Sequence, residues 1–491
     1  QPVNLLYKMK WSDRQLAIFD AYENTRKNIA IEATAGSSKT TCIVECCRRT
    51  PPNKKVLFMA FNKSIAEELR ERLPSHIDVN TFHSKGLRVL LSNFRIKPKI
   101  NENKCFVIGK KILETKDMDV KQQIRYLFEI QIIWNYIRVN LITDYEKEIP
   151  GICIEKNIEF QERMVGDMEQ IRNAWHKEMK KINSVKEINI DFTDMLYFPY
   201  QLLDSEDFPK YDIVTLDEQQ DANTLQKELA LRYIKKSGRF VVVGDSRQCI
   251  YGFQGSSLEV FKSLQSYPNT IVLPLDITYR CGKNIVEEAR KVFDNGIVAA
   301  PNAIDGVVRK GEFDEAENGD FILCRNNLPL ATVFLYLLEM GKKATIKGKD
   351  YGDALVALVD KIRYIEDLDA MCEKKISELK ERGLTDIQAK NNPSYVSLLE
   401  KCTILKMLYK NWGDMKKLED NIKEIYKDDT EGIVLSTIHK SKGLEADRVF
   451  LLNRNLIPSK YANTEEALYN EKCLLFVAIT RARKELVYCN V

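Results

Sequence analysis

The stretch Ala33-Thr34-Ala35-Gly36-Ser37-Ser38-Lys39-Thr40-Thr41 restricts the folds open to this chain more than any other. It follows the apolar run 28–33 and precedes helix-favouring sequence, so it predicts a strand–loop–helix unit. Such a loop turns backbone N–H groups and a helix N-terminus toward an anion, which suits the phosphates of a nucleotide. Ala35, Gly36, Ser37, Ser38 and Thr41 would line the cradle. Lys39 would reach the β- and γ-phosphates, and the Thr40 hydroxyl would ligate magnesium. Two positions depart from the P-loop pattern: Ala33 stands at its first glycine and Ser38 at the glycine before the lysine. Ala33 is a mild change. Ser38 matters more, because that glycine lets the backbone approach phosphate closely. It bears on turnover and not on the fold.

A second apolar run, 211–217, ends in the carboxylates Asp217 and Glu218. An Asp-Glu pair at a strand end is ordinarily a solvated turn. Downstream of a P-loop it reads as the other half of a nucleotide-hydrolysing site. Asp217 would hold magnesium, and Glu218 would polarise the attacking water as general base.

Short apolar strands alternate with helical stretches at both ends of the chain, the mark of an α/β fold with parallel sheets. Strands are expected at 28–33, 55–61, 211–217, 239–245 and 270–275, then at 321–324, 432–439, 448–453 and 485–489. Between these lie charged, helix-favouring tracts, including 121–140 and 159–181, and a second tract in which Ile362, Ile365 and Leu368 recur at helical spacing. The expected organisation is a first α/β domain (1–88 and 190–276) with a helical insertion (89–189). A second α/β domain (277–349 and 431–491) carries a shorter insertion (350–430). At 491 residues there is ample length for large cores.

With 44% hydrophobic and 30% charged residues the composition is globular, and no apolar run approaches the roughly 18 residues of a membrane span. These features exclude a membrane-spanning helix bundle and argue against a secreted protein. The net charge of +4 neither demands nor opposes a nucleic-acid partner. The 12 cysteines show no zinc spacing and read as buried thiols of a reducing compartment, with Cys42, Cys46 and Cys47 as core filling.

An ordered series of motifs then resembles the UvrD/Rep/PcrA-type superfamily 1 helicases over nearly the whole chain. Trp11-Ser12-Asp13-Arg14-Gln15 looks like the adenine-reading segment, with Gln15 contacting the base. Phe58-Met59-Ala60-Phe61-Asn62-Lys63-Ser64 and Thr81-Phe82-His83-Ser84 resemble two single-strand-contacting motifs. Asp191-Phe192-Thr193-Asp194-Met195-Leu196 is similar to the segment closing the first insertion. Asp217-Glu218-Gln219-Gln220-Asp221 resembles D-E-x-Q-D. Gly244-Asp245-Ser246-Arg247-Gln248-Cys249-Ile250-Tyr251-Gly252-Phe253-Gln254-Gly255 resembles G-D-x-x-Q-x-I-Y-x-W-R-G. Thr278-Tyr279-Arg280, Thr437-Ile438-His439-Lys440-Ser441-Lys442-Gly443-Leu444-Glu445 and Ala478-Ile479-Thr480-Arg481 complete the series.

The resemblance implies two RecA-like P-loop domains that bind ATP and magnesium in the cleft between them. Gln248 and Arg280 would touch the γ-phosphate, Tyr279 would pack on adenine, Glu445 would meet the ribose with Gly443 beside it in the nucleotide site, and Arg481 would be the arginine finger. Phe61, Asn62, Lys63, His83, Tyr251, Phe253, Gln254 and His439 would contact single-stranded DNA, whereas Phe82 reads as a core aromatic. Phe253 replaces the family's tryptophan and Gln254 its arginine, which shrinks the stacking platform and removes one charge.

The implied activity is an ATP-dependent DNA helicase moving 3′ to 5′, working as a monomer at single-strand/duplex junctions. Replication, recombination or repair would be its setting, in a bacterial or phage-infected cytoplasm or in a nucleus. Two other readings stay open. The stretch 62–68 resembles the branch that strips recombinase filaments, which points to a translocase acting with single-strand-binding or recombination proteins. Ser38 could instead make the chain a slow, ATP-gated DNA-binding module.

Overall fold

The computed structural model describes residues 10–113, 118–156, 158–250, 258–294, 296–381, 384–427, 431–462 and 464–491. The chain divides after Asp276 into two compact units. In the first, strands β1 (Asn28–Ala33), β2 (Val56–Ala60) and β3 (Ile77–Thr81) precede the pair β4 (Lys97–Ile100) and β5 (Glu187–Ile190). Strands β6 (Tyr211–Leu216), β7 (Ile234–Gly244) and β8 (Thr270–Leu275) follow. Six of these form one sheet in the order β3-β2-β6-β7-β1-β8, and every neighbouring pair is parallel.

Alternate residues of these strands feed two separate cores, as a strand's two-residue period requires. Ile29, Ile31, Phe58 and Val243 pack under the helices Asp13–Asn24, Lys39–Arg48 and Lys63–Arg72. Ala30, Leu57, Met59 and Val242 face the other way, in one continuous core with Trp134, Ile171 and Trp175 of the first insertion. That insertion is built on the helices Lys104–Ile112, Val120–Asn140, Tyr145–Glu155 and Arg163–Lys180 and is tied by the parallel pair β4–β5. The helices Phe82–Asn93 and Asp194–Leu202 on either side of it approach closely at Gly86, where an added Cβ would lie 2.3 Å from the Met195 carbonyl oxygen.

The second unit begins with β9 (Ile277–Thr278), which pairs with β10 (Val298–Ala299). Strands β11 (Val307–Lys310), β12 (Phe321–Cys324), β13 (Ala344–Lys347), β14 (Tyr426–Lys427), β15 (Ile433–Thr437), β16 (Ala446–Leu452) and β17 (Ala482–Cys489) form a parallel sheet in the order β11-β17-β16-β12-β15-β13-β14. Its insertion, from helix Lys349–Val359 to helix Met415–Ile425, shares a core with the sheet through Leu355, Leu405, Leu418, Ile322, Leu435 and Phe450.

The expected strands are present with ends shifted by a few residues. Polar or very short strands such as β3, β4, β5 and β13 lacked an apolar run to announce them. One helical reading is corrected. Ile362 and Ile365 lie in non-helical backbone before the helix Asp367–Lys380, where the Asp367 carboxylate accepts from the backbone of Arg363 (2.8 Å) and Tyr364 (2.9 Å). Leu368 is buried as its spacing suggested. All 12 cysteines are buried free thiols, and Cys42, Cys46 and Cys47 fill the core beneath the P-loop helix.

Candidate active site and nucleic-acid face

Every parallel strand of the first sheet points its carboxyl end to the same edge, where open α/β sheets bind ligands. In sheet order that edge carries His83 after β3, Phe61 after β2, Asp217 and Glu218 after β6, Gln248 after β7 and the P-loop after β1. Residues far apart in sequence thus meet along one rim.

Within the nucleotide loop, Gly36 (φ 68°) and Ser38 (φ 62°) both have left-handed backbone. The helix Lys39–Arg48 starts directly after Ser38, whose side chain makes no cap bond. The alternation aims successive N–H groups into one concavity, an anion nest. Left-handed backbone costs a side-chain-bearing residue about 1–2 kcal/mol, and glycine gives back part of that gain through its freer unfolded chain. Ser38→Gly is therefore expected to raise stability by about 0.5–1 kcal/mol, read from the denaturant midpoint, and to raise kcat for nucleotide hydrolysis. A fall in the midpoint would mean that the serine is not strained.

Thr40 donates its hydroxyl to Asp217 at 2.7 Å, and Lys39 lies 3.3 Å from Glu218. A hydroxyl beside a carboxylate is the hard-oxygen donor set that magnesium prefers, so the residues present fit that ion. Burial, then the adjacent Glu218 carboxylate, pushes Asp217 up to about 6. Burial works against the Lys39 charge, yet Glu218, Asp245 and Asp217 hold its ammonium above the ordinary lysine range. Glu218 itself sits in left-handed backbone (φ 49°) and accepts from the Gln220 amide at 2.6 Å. Strain of this kind persists only where surrounding contacts enforce it.

Three residues given no role by sequence complete this network. Asp245, fully buried, accepts from the amide of Gln248 (2.6 Å) and the guanidinium of Arg247 (2.9 Å), and its backbone N–H donates to Gln220 (2.9 Å). Arg247 in turn donates to the Ala33 carbonyl at 2.7 Å, joining this turn to the P-loop strand. Gln220 and Asp245 stood inside the quoted motifs, and their buried partners were the missing signal. Gln15 is buried and forms a reciprocal capping box with Ser12 at the start of its helix, so the amide assigned to adenine also has a local structural task.

On the β2–β3 side Phe61 is 40% exposed, Asn62 caps the helix Lys63–Arg72, and Lys63 points to solvent with Glu67 at 3.7 Å. His83 lies edge-on to Phe192, ring centroids 6.3 Å apart, and burial lowers its pKa toward the neutral imidazole. Phe192 is 53% exposed and was not read as a contact residue, while Phe82 is buried as expected. Tyr251, Phe253 and Gln254, expected to contact single-stranded DNA, lie outside the described residues.

In the second unit Arg280 pairs with Glu445 and donates to the Thr480 carbonyl at 3.3 Å. Gly443 has φ 87° and open space around it, so conformation and not crowding calls for glycine there. Tyr279 is 46% exposed. Arg481, only 1% exposed, donates to the carbonyls of Val477 and Leu444, both at 3.1 Å. In this arrangement its guanidinium serves backbone oxygens, and an arginine-finger role requires it to leave them. These residues gather at the amino ends of β16 and β17. His439 follows the carboxyl end of β15, on the opposite edge of that sheet, and burial together with Arg325 pushes it down to about 4.

The model of the UvrD/REP helicase N-terminal domain matches residues 14–268, and that of the UvrD-like helicase C-terminal domain matches 163–490. The chain belongs to the UvrD/Rep helicase family. Its two parallel sheets flanked by helices are the RecA-like pair of that family, and its relatives are named as DNA helicases, Rep and PcrA among them as ATP-dependent. One is the F-box DNA helicase protein 1 of Schizosaccharomyces pombe, 24% identical over 97% of this chain and 57% of the relative. Another is the ATP-dependent DNA helicase Rep of Buchnera aphidicola from Acyrthosiphon pisum, 22% identical over 96% and 94%. PcrA of Bacillus subtilis is 26% identical over 56% of this chain and 39% of its own length. The chain thus spans little more than half of the F-box relative and nearly all of Rep. Among the described residues no helix is long and apolar enough to cross a membrane.

Proposed function

We propose that this protein is an ATP- and magnesium-dependent DNA helicase or translocase that moves 3′ to 5′ along single-stranded DNA. The observation that carries the reading is the shared rim of the first sheet. Lys39, Thr40, Asp217, Glu218 and Gln248 occupy one part of it, and exposed Phe61 and the His83–Phe192 pair occupy the adjoining part. A change in the nucleotide part is thereby mechanically close to the aromatic part.

In the proposed cycle Lys39 releases Glu218 to meet the β- and γ-phosphates of ATP. Glu218 then accepts the proton of the attacking water, and Gln248 reports the state of the γ-phosphate. Magnesium, held by Thr40 and Asp217, would neutralise phosphate charge. Arg280 and Arg481 are the proposed sources of further positive charge, and Gln15, Tyr279, Gly443 and Glu445 of nucleoside contacts. Phe61, His83 and Phe192 would stack on bases, each worth about 1–3 kcal/mol. Asn62, Lys63 and His439 would face the backbone. Stacking and backbone contacts make binding sequence-tolerant and salt-dependent. The 3′ to 5′ direction rests on the family resemblance.

Steady-state ATP turnover with and without a single-stranded oligonucleotide tests the proposal. Stimulation of about tenfold or more, equivalent to about 1.4 kcal/mol off the barrier, is expected. Slow turnover indifferent to DNA would sink the motor reading and favour an ATP-gated binding module, with strained Ser38 as its cause.

A further inference from the structure

Glu32 is the one charged residue of β1, a strand paired on both sides, and stands one residue before the P-loop. In register it lies between Gly244 of β7 and Pro274 of β8. A carboxylate there is costly unless donors meet it. Three do. The Ser246 hydroxyl donates at 2.7 Å, the Ser246 backbone N–H at 3.2 Å and the Gln265 amide at 2.5 Å. Ser246 opens the single turn Ser246–Gln248, and its last residue is the proposed γ-phosphate sensor, bonded back to Asp245.

We infer that Glu32 is a positioning residue of the nucleotide site, holding the Ser246–Gln248 turn in register with the P-loop. The inference rests on the functional reading proposed above. Two ties join that turn to the β1 end: Arg247 to the Ala33 carbonyl at 2.7 Å, and Glu32 to Ser246. Together they hold the turn against the carboxyl end of β1. Burial raises the Glu32 carboxyl above its ordinary range, the Ser246 bonds pull it back, and the Asp245 carboxylate adds to the rise. Glu32 touches no phosphate in this scheme. It acts through Ser246 on Gln248, so its loss should slow the chemical step and spare ATP binding.

The experiment is steady-state ATP hydrolysis by the full chain with saturating single-stranded DNA, for four variants. Glu32→Ala should lower kcat roughly tenfold while KM for ATP moves less than about twofold. Glu32→Gln should recover most of that loss, because its amide oxygen can still accept from Ser246 while Gln265 turns its own carbonyl to the new N–H groups. Ser246→Ala, which removes only the hydroxyl arm and leaves Glu32 its other two donors, tests the same tie if Glu32→Ala does not fold and should lower kcat about threefold. Gln265→Ala should match the unmutated protein. If Gln265→Ala reproduces the Glu32→Ala loss, Glu32 merely ties a helix to the sheet and the inference falls. It also falls if KM rises with kcat unchanged, or if Glu32→Ala equals the unmutated protein. No turnover by the unmutated protein would instead overturn the functional reading, and this inference with it.

Discussion

Glu218→Gln is expected to reduce ATP turnover by about 10²–10⁴-fold while nucleotide binding survives. The amide preserves the shape of the side chain and can still accept from Gln220, which donates to Glu218 at 2.6 Å. It cannot take the proton of the attacking water. Binding should hold or tighten, because Lys39, 3.3 Å from the Glu218 carboxylate, loses the charge that competes with phosphate for it. Phosphate release paired with binding of a fluorescent ATP analogue measures both halves. A variant retaining more than about a tenth of normal turnover would remove Glu218 from the general-base role, given the usual size of such a contribution. Loss of binding and turnover together would point to collapse of the left-handed turn at Glu218.

The largest stability effect should come from Asp194→Ala, about 3–5 kcal/mol. Asp194 is fully buried and accepts from Lys104 at 2.6 Å and from Arg138 and Trp175, both at 2.8 Å. Arg138 also forks onto Asp191 at 2.6 and 2.9 Å, and Lys104 lies 4.0 Å from the Trp175 ring. Removing Asp194 takes the carboxylate from Lys104 and the Trp175 N–H and leaves Arg138 to Asp191 alone, in a core with no water to turn to, which is why breaking a buried pair costs far more than an exposed one. The donors come from three helices of the insertion, and the acceptors flank Phe192. The same change should therefore loosen the Phe192–His83 contact and weaken single-stranded DNA binding. Guanidinium unfolding checks the first effect and salt-dependent DNA titration the second. A midpoint shift worth under about 1 kcal/mol would mean that water reaches Lys104.

The grouping of the candidate site was largely legible in the chain. Lys39, Thr40, Asp217 and Glu218, singled out because the proposed roles demand particular atoms next to a strand end, do meet in the structure, and apolar strands such as β1, β6 and β12 declare themselves by local pattern. Cores were less legible. Both insertions read as separate helical blocks, yet each shares one hydrophobic core with the sheet beside it.

The sequence alone determined the type of fold, the position of the candidate phosphate loop and the family, since each depends on short strings with strict local requirements. Only the tertiary structure decided which side chains have partners. Arg481, read as a finger for phosphate, is held by the Val477 and Leu444 carbonyls, and Glu32, read as nothing, grips Ser246 across 214 positions. Phe192 is exposed beside His83 because Asp191 and Asp194 are drawn inward by Arg138 and Lys104. A buried charge takes its energy from partners far away in the chain, and no local pattern records where those partners will be.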